Sequence, residues 1–305
     1  MKTNPHAALI EKIATLRKER DAVIIAHNYQ RGEVQDIADF TGDSLELSRR
    51  AAATPAAVIV FCGVYFMAES ASILSPEKKV LLPVLEAGCP LADMIDAEKL
   101  RAWKREYPGR PVVTYINSSA EVKAESDICC TSSNAVDIVD SVESDEVLFC
   151  PDKNLGMYVQ SRTEKRLVIW GGYCATHAWV KEEEIVEAKK WHPKAKVMAH
   201  PECGPEVLRH ADHVCSTSGM LSYARESGAR EFIVATEAGI LHRLKKDNPR
   251  KRFYIGSKKF LCPNMKVTTL TTIADALEHM RHEIRVDEGV RNRAARAIDR
   301  MLKKA

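Results

Sequence analysis

Three times along its 305 residues the chain passes through the same order of events. An apolar strand run ends on polar residues, and a small Ser/Thr segment follows. A second apolar run then ends on a polar or small group, and a third leads into a loop carrying cysteine. In the first third, DAVIIAHNY ends its run at His27, Ser44 follows, AAVIVFCG reaches Cys62 and KKVLLPVLEAGCPLAD reaches Cys89. In the second, RPVVTYINSSA ends near Tyr115 and Asn117, ICCTSSNAV holds Thr131, Ser132 and Ser133, and the next runs reach Cys150 and Cys174. In the third, AKVMAHPEC ends at His200, HVCSTSGML holds Ser216, Thr217 and Ser218, and the next runs reach Thr236 and Cys262. The spacings follow the order: Cys89, Cys174 and Cys262 are 85 and 88 residues apart, and the last two runs of each repeat end 27, 24 and 26 residues apart.

The strand runs are short, rich in Val and Ile, and scarcely alternate, which suits parallel sheets buried on both faces. The fold expected is α/β: three similar αβα sandwich units with parallel sheets around a pseudo-threefold axis, helices being placed on both faces by right-handed crossovers. Pro and Gly near 107–110 and 192–194 punctuate the chain and set the repeats at 21–107, 108–192 and 193–271. Helices are expected over 35–52 (interrupted at TGD), 91–107, 179–191, 205–210 and 220–227. An N-terminal helix at 5–20 and C-terminal helices over 272–305, broken near 288–289, are expected to pack beside the first repeat.

Composition narrows the function. A net charge of +3 without a concentrated basic stripe argues against nucleic acid. No stretch approaches the apolar length of a membrane span, and the first twenty residues have no apolar signal core, so a cytoplasmic protein is expected. Nine cysteines are many for such a chain, and their odd number does not suit a disulfide framework. Buried packing thiols, a metal site or a catalytic thiol remain, and at least half of the nine are expected to be packing residues.

Open parallel sheets place ligands outside the carboxyl ends of their strands. His27, Tyr29, Tyr115, Asn117, His200 and Glu202 follow strand runs directly, and Cys89, Cys174 and Cys262 follow through short loops. Three units around one axis would face a common cavity, and three thiolates converging there invite a soft metal. Zinc with His177 or His200 as fourth ligand is one choice; an iron–sulfur cluster with one iron open to substrate is the other. Spacing alone does not choose between them. His177, three residues after Cys174, would support that cysteine from behind, face substrate, or have no functional role. The Ser/Thr segments precede helix starts, where they serve as caps or hold phosphate and carboxylate groups.

AHNYQ at 26–30, YINSSAEVKA at 115–124, CTSSNA at 130–135, FCPDKNLG at 149–156, HPEC at 200–203, STSGM at 216–220, ATEAG at 235–239 and CPNMK at 262–266 together resemble the quinolinate synthase family. The resemblance runs from about residue 20 to 280. It implies an enzyme of NAD biosynthesis that condenses iminoaspartate with dihydroxyacetone phosphate to quinolinate, phosphate and two waters. It implies one 4Fe-4S cluster held by Cys89, Cys174 and Cys262, one cysteine from each unit, acting as a Lewis acid. Tyr29 and Tyr115 resemble the family's active-site tyrosines. Asn117 would hold a carboxylate or hydroxyl, His27 and His200 would orient carboxylates, and Glu202, with its pKa raised by burial, would serve as base. Ser44, Ser132 and Thr217 would anchor carboxylate and phosphate groups, with Ser216 and Ser218 as alternatives to Thr217. The reactive imine leaves room for a transient contact with an aspartate-oxidising enzyme.

Overall fold

The computed structural model describes residues 5–304; position 305 of the expected C-terminal helix lies outside the described residues. The Val- and Ile-rich runs form three four-stranded sheets. The first holds β1 (Ala22–His27), β2 (Phe40–Gly42), β3 (Val58–Cys62) and β4 (Lys79–Leu81). The second holds β5 (Val112–Tyr115), β6 (Ile128–Cys130), β7 (Glu146–Cys150) and β8 (Arg166–Ile169). The third holds β9 (Lys196–Ala199), β10 (His213–Val214), β11 (Glu231–Ala235) and β12 (Arg252–Ile255). Their orders are β2-β1-β3-β4, β6-β5-β7-β8 and β10-β9-β11-β12, the same permutation three times. Every pairing between these strands is parallel. Helices flank the sheets, as the unalternating strands required.

Each sheet has one strand more than the sequence showed. β2, β6 and β10 are two or three residues long, too short to carry a period, and each lies on a sheet edge. The expected 35–52 helix is therefore two helices, Gly32–Ile37 and Ser44–Ala53, with β2 between them. The latter starts at a capping box: the Asp43 carboxylate accepts from the Leu45 and Glu46 N–H groups, and Glu46 accepts from the Asp43 N–H. The expected 179–191 helix is the single helix Glu182–Trp191, and a separate short helix, Ala175–Ala178, precedes it. At the C-terminal side the chain leaves the helix at Met280, whose φ of 51° is left-handed, and resumes at Glu288.

Two polar devices recur in every repeat. The carboxylate of Asp39, Asp127 or Asp212 accepts from a backbone N–H fifteen residues earlier, on Ile24, Val112 or Val197, at 2.9, 2.8 and 2.9 Å. It ties each edge strand to its neighbour's start. The ammonium of Lys78, Lys165 or Lys251 donates to carbonyls at a helix end, including Thr54, Val142 and Ser227, where cations are favoured.

The chain divides into two compact units, one running to Cys89 and including Pro263–Asp287, the other comprising Pro90–Cys262 and the chain from Glu288. In the first unit, Ile13, Ile24, Val60, Leu81, Ile273 and Leu277 share a buried core between the N-terminal helix Ala7–Glu19, β1, β3 and the helix Leu270–His279. The second unit holds the second and third sheets, each with its own core. There the amphipathic helix Glu288–Lys304 packs on Ala120–Ala124 and β6.

Candidate metal and active site

Nine thiols divide by burial. Cys62, Cys129, Cys130, Cys150 and Cys203 are buried, whereas Cys89, Cys174, Cys215 and Cys262 are partly accessible. Burial pushes the Cys129, Cys150 and Cys215 thiols up to about 12 and raises Cys62, Cys130 and Cys203 as well. Five of the nine, more than half, are buried as packing cysteines are.

Cys89, Cys174 and Cys262 share a local geometry that Cys215 lacks. In each repeat, the backbone N–H three residues beyond the third strand, β3, β7 or β11, donates to the carbonyl two residues before the cysteine. The pairs are Tyr65 to Ala87 at 2.7 Å, Lys153 to Gly172 at 2.7 Å and Ala238 to Phe260 at 2.8 Å. The second approach is so close that a methyl on Gly172 would lie 2.5 Å from the Pro151 carbonyl oxygen. The three loops thus occupy equivalent places, each beside the carboxyl end of its sheet.

In the second unit a buried cluster surrounds Glu202. Its Oε2 lies 3.0 Å from His177 Nδ1 and 3.2 Å from His200 Nδ1. His177 Nδ1 is also 3.2 Å from Cys174 Sγ, and its Nε2 meets Thr236 Oγ1 at 2.8 Å. His200 Nε2 meets Ser132 Oγ at 3.1 Å, and its ring stacks on His177 with centroids 4.9 Å apart. His200 Nδ1 has two available partners, because the Glu202 N–H also points at it from 3.3 Å. The neutral ring can accept there and the protonated ring can donate to the carboxylate, so His200 has a partner in either state. Glu202 Oε1 and Asn117 Oδ1 are buried with no hydrogen-bond partner among the described residues. Buried acceptors left so are costly and mark a place for a ligand or water.

The electrostatics correct one expectation. Burial alone would raise the Glu202 carboxyl, but the charges and hydrogen bonds of His177 and His200 outweigh it and hold the group below its ordinary value. Glu202 is the charged partner of two imidazoles. The raised acid is Asp152, lifted above its ordinary value by burial and by the Glu202 charge, although both its oxygens accept backbone N–H groups as an ionised carboxylate does. Sequence reasoning missed Asp152 and left His177 undecided. The signal for His177 was its position three residues after Cys174, which puts both on one helical turn.

The remaining predicted residues separate by unit. Tyr115 closes β5 and is buried. Ser132, Ser133, Ser216, Ser218 and Gly219 line a cavity of about 340 Å³ in the second unit. Ser216 caps the helix Thr217–Glu226 by accepting from the Gly219 N–H, while Thr217 is buried in its first turn. In the first unit, His27 and Tyr29 are buried in edge contact with ring centroids 4.6 Å apart. Ser44 opens the helix Ser44–Ala53, and Lys266 Nζ donates to the Tyr29 carbonyl.

Parallel sheets ending in a buried acid–imidazole–thiol cluster define an α/β enzyme whose donors suit a soft metal. Residues 11–303 match the family model described as quinolinate synthetase A protein. A protein of Geobacter sp. (strain M21) named quinolinate synthase is 57% identical over 290 residues, 95% of each chain. One from Dehalococcoides mccartyi is 57% identical over 292 residues, 96% of this chain and 97% of its own. One from Methanosarcina barkeri is 54% identical over 296 residues, 97% of each. The chain belongs to the quinolinate synthase family. Among the described residues no helix is long and apolar enough to cross a membrane.

Proposed function

We propose that this protein is a cytoplasmic quinolinate synthase, condensing iminoaspartate with dihydroxyacetone phosphate to give quinolinate, phosphate and two waters. The observation that carries the reading is the equivalence of the Cys89, Cys174 and Cys262 loops, each held by the same backbone bond. Partly accessible thiols on pinned loops fit a 4Fe-4S cluster bound by these three cysteines. When bound, it would supply an open iron as Lewis acid. We assign one ligand to each of three domains, 21–107, 108–192 and 193–271.

The chain's own residues account for the rest of the chemistry. His200 would orient a substrate carboxylate and exchange a proton with Ser132 or substrate through its Nε2. Glu202, held ionised, would stabilise the positive charge on an imidazole that takes up that proton. The unpartnered Asn117 carbonyl oxygen and Glu202 Oε1 would accept from substrate hydroxyl or imine groups. Tyr29 and Tyr115 would donate from their phenols, with His27 beside Tyr29 orienting a carboxylate. Ser44, Ser132 and Thr217 would bind the anionic ends of the substrates at helix starts. The reactive imine favours delivery by an aspartate-oxidising enzyme in transient contact.

The test is anaerobic incubation of purified, iron-loaded protein with dihydroxyacetone phosphate and enzymatically generated iminoaspartate. Quinolinate and phosphate are expected in equal amounts; phosphate without quinolinate would refute the assignment. A second reading has its own observation: donor atoms of Cys174, His177 and Glu202 all lie within 4.8 Å of one another, compatible with a single zinc ion. It predicts a colourless protein with one zinc.

A further inference from the structure

Two buried carboxylates outside the Glu202 cluster stand at matching points of the second and third repeats. Asp152 lies two residues beyond the end of β7, and Glu237 two residues beyond the end of β11. Both are fully buried. Each splits its two oxygens in the same way. One oxygen accepts locally: Asp152 Oδ1 from the Leu155 N–H at 2.8 Å, and Glu237 Oε2 from the Gly239 N–H at 2.7 Å. The other crosses to the cysteine loop. Asp152 Oδ2 accepts from the Cys174 N–H at 2.9 Å, and Glu237 Oε1 from the Cys262 N–H at 3.2 Å.

A carboxylate with two acceptor oxygens can bridge a helix start and a ligand loop simultaneously. Neither bond is required for strand pairing, and each fixes the backbone of a residue whose thiol is partly accessible. Fixing that backbone leaves only the side-chain torsion to be set when a metal arrives, which lowers the entropy lost on capture. The first repeat lacks this device. Its corresponding residue is Val64, at the start of the helix Tyr65–Leu74, and its cysteine loop is tied instead by Asn264 Nδ2 donating to the Gly88 carbonyl at 2.8 Å.

We propose that Asp152 and Glu237 are positioning residues that preset the Cys174 and Cys262 backbones for metal capture. This deepens the proposed function and rests on its assignment of those cysteines as ligands.

Asp152→Asn and Glu237→Gln keep side-chain shape while leaving one oxygen for two donors. Asp212→Asn in the same unit is the control, because its carboxylate also holds a backbone N–H but serves a strand. The parent and the three variants are loaded anaerobically with iron and sulfide, and chelator-driven bleaching is followed. Thermal midpoints of the metal-stripped chains are measured alongside. Both positioning variants should lose iron about tenfold or more faster than the parent, with metal-free midpoints no lower than that of Asp212→Asn, which should bleach at the parental rate. Bleaching within about twofold of the parent, or equal acceleration in Asp212→Asn, would overturn the proposal. If one positioning variant does not fold, the other is read by the same rates. A parent chain that takes up no iron and sulfide would instead overturn the metal assignment on which the proposal rests.

Discussion

At the end of β1, the Tyr29 N–H donates to the ring nitrogen Nδ1 of His27 at 3.2 Å; at the end of β9, the Glu202 N–H does the same to His200 at 3.3 Å. The next residues continue the parallel, since the Gln30 and Cys203 N–H groups both donate to the histidine carbonyl, each at 3.0 Å. One turn thus presents a phenol in the first repeat and a carboxylate in the third. The same divergence appears just beyond β3, β7 and β11, where Val64 stands in place of Asp152 and Glu237. Repetition fixes where a side chain will stand, and substitution within the repeat decides what chemistry stands there. The first unit holds the Cys89 loop and an aromatic–imidazole pair. The second holds the Cys174 and Cys262 loops, the buried acid and the serine-lined cavity.

The largest effect should separate ligand from packing cysteines. Cys174→Ala should abolish iron retention, while Cys150→Ala, buried behind Thr114, should keep it; iron and sulfide analysis of the purified variants decides. Next comes the acid. Glu202→Gln should lower kcat by on the order of 10²–10³-fold with iron content unchanged, and its metal content should be checked beside its rate. Asn117→Ala should act more mildly, raising KM about tenfold through the loss of one hydrogen bond to a charged substrate. Steady-state kinetics against a parent control would reveal it.

The smallest effect belongs to the device that all repeats share. Asp212→Asn should cost about 1 kcal/mol of stability at neutral pH. Burial would raise the Asp212 carboxyl, but Lys196 and the Val197 N–H outweigh it and hold it below its ordinary value. Its contribution is therefore present above the unfolded-state value and is lost as pH falls through the lower folded one. The parent's denaturation midpoint should converge on that of the variant below about pH 4. A difference that persists unchanged into acid would show that the carboxylate's charge is not what stabilises.

Much of this plan was legible in the sequence because it is carried by long-range order. Unalternating Val/Ile runs announced parallel sheets, and equal spacing selected Cys89, Cys174 and Cys262 before any geometry. The edge strands were not legible, because FTG, ICC and HV contain too few residues to show a period. Asp39, Asp127 and Asp212 did carry a signal, each fifteen residues after a strand-run residue, but single aspartates in loops resemble turn formers. The docking of Glu288–Lys304 on the second sheet is not encoded in its own amphipathic pattern, which names a buried face without naming its partner. The Glu202 environment was misjudged for a related reason. Burial was foreseeable from HPEC, but the second imidazole comes from a separate helix, Ala175–Ala178, and two imidazole partners reverse the direction that burial alone gives.

The central claim is tested most directly by iron and sulfide determination, with an absorption spectrum, on anaerobically purified parent chain and its Cys89→Ala, Cys174→Ala and Cys262→Ala variants. About four irons and four sulfides in the parent, with loss in every one of the three variants, is the predicted result. A colourless parent containing one zinc, or a parental iron content in any of the three, would contradict it.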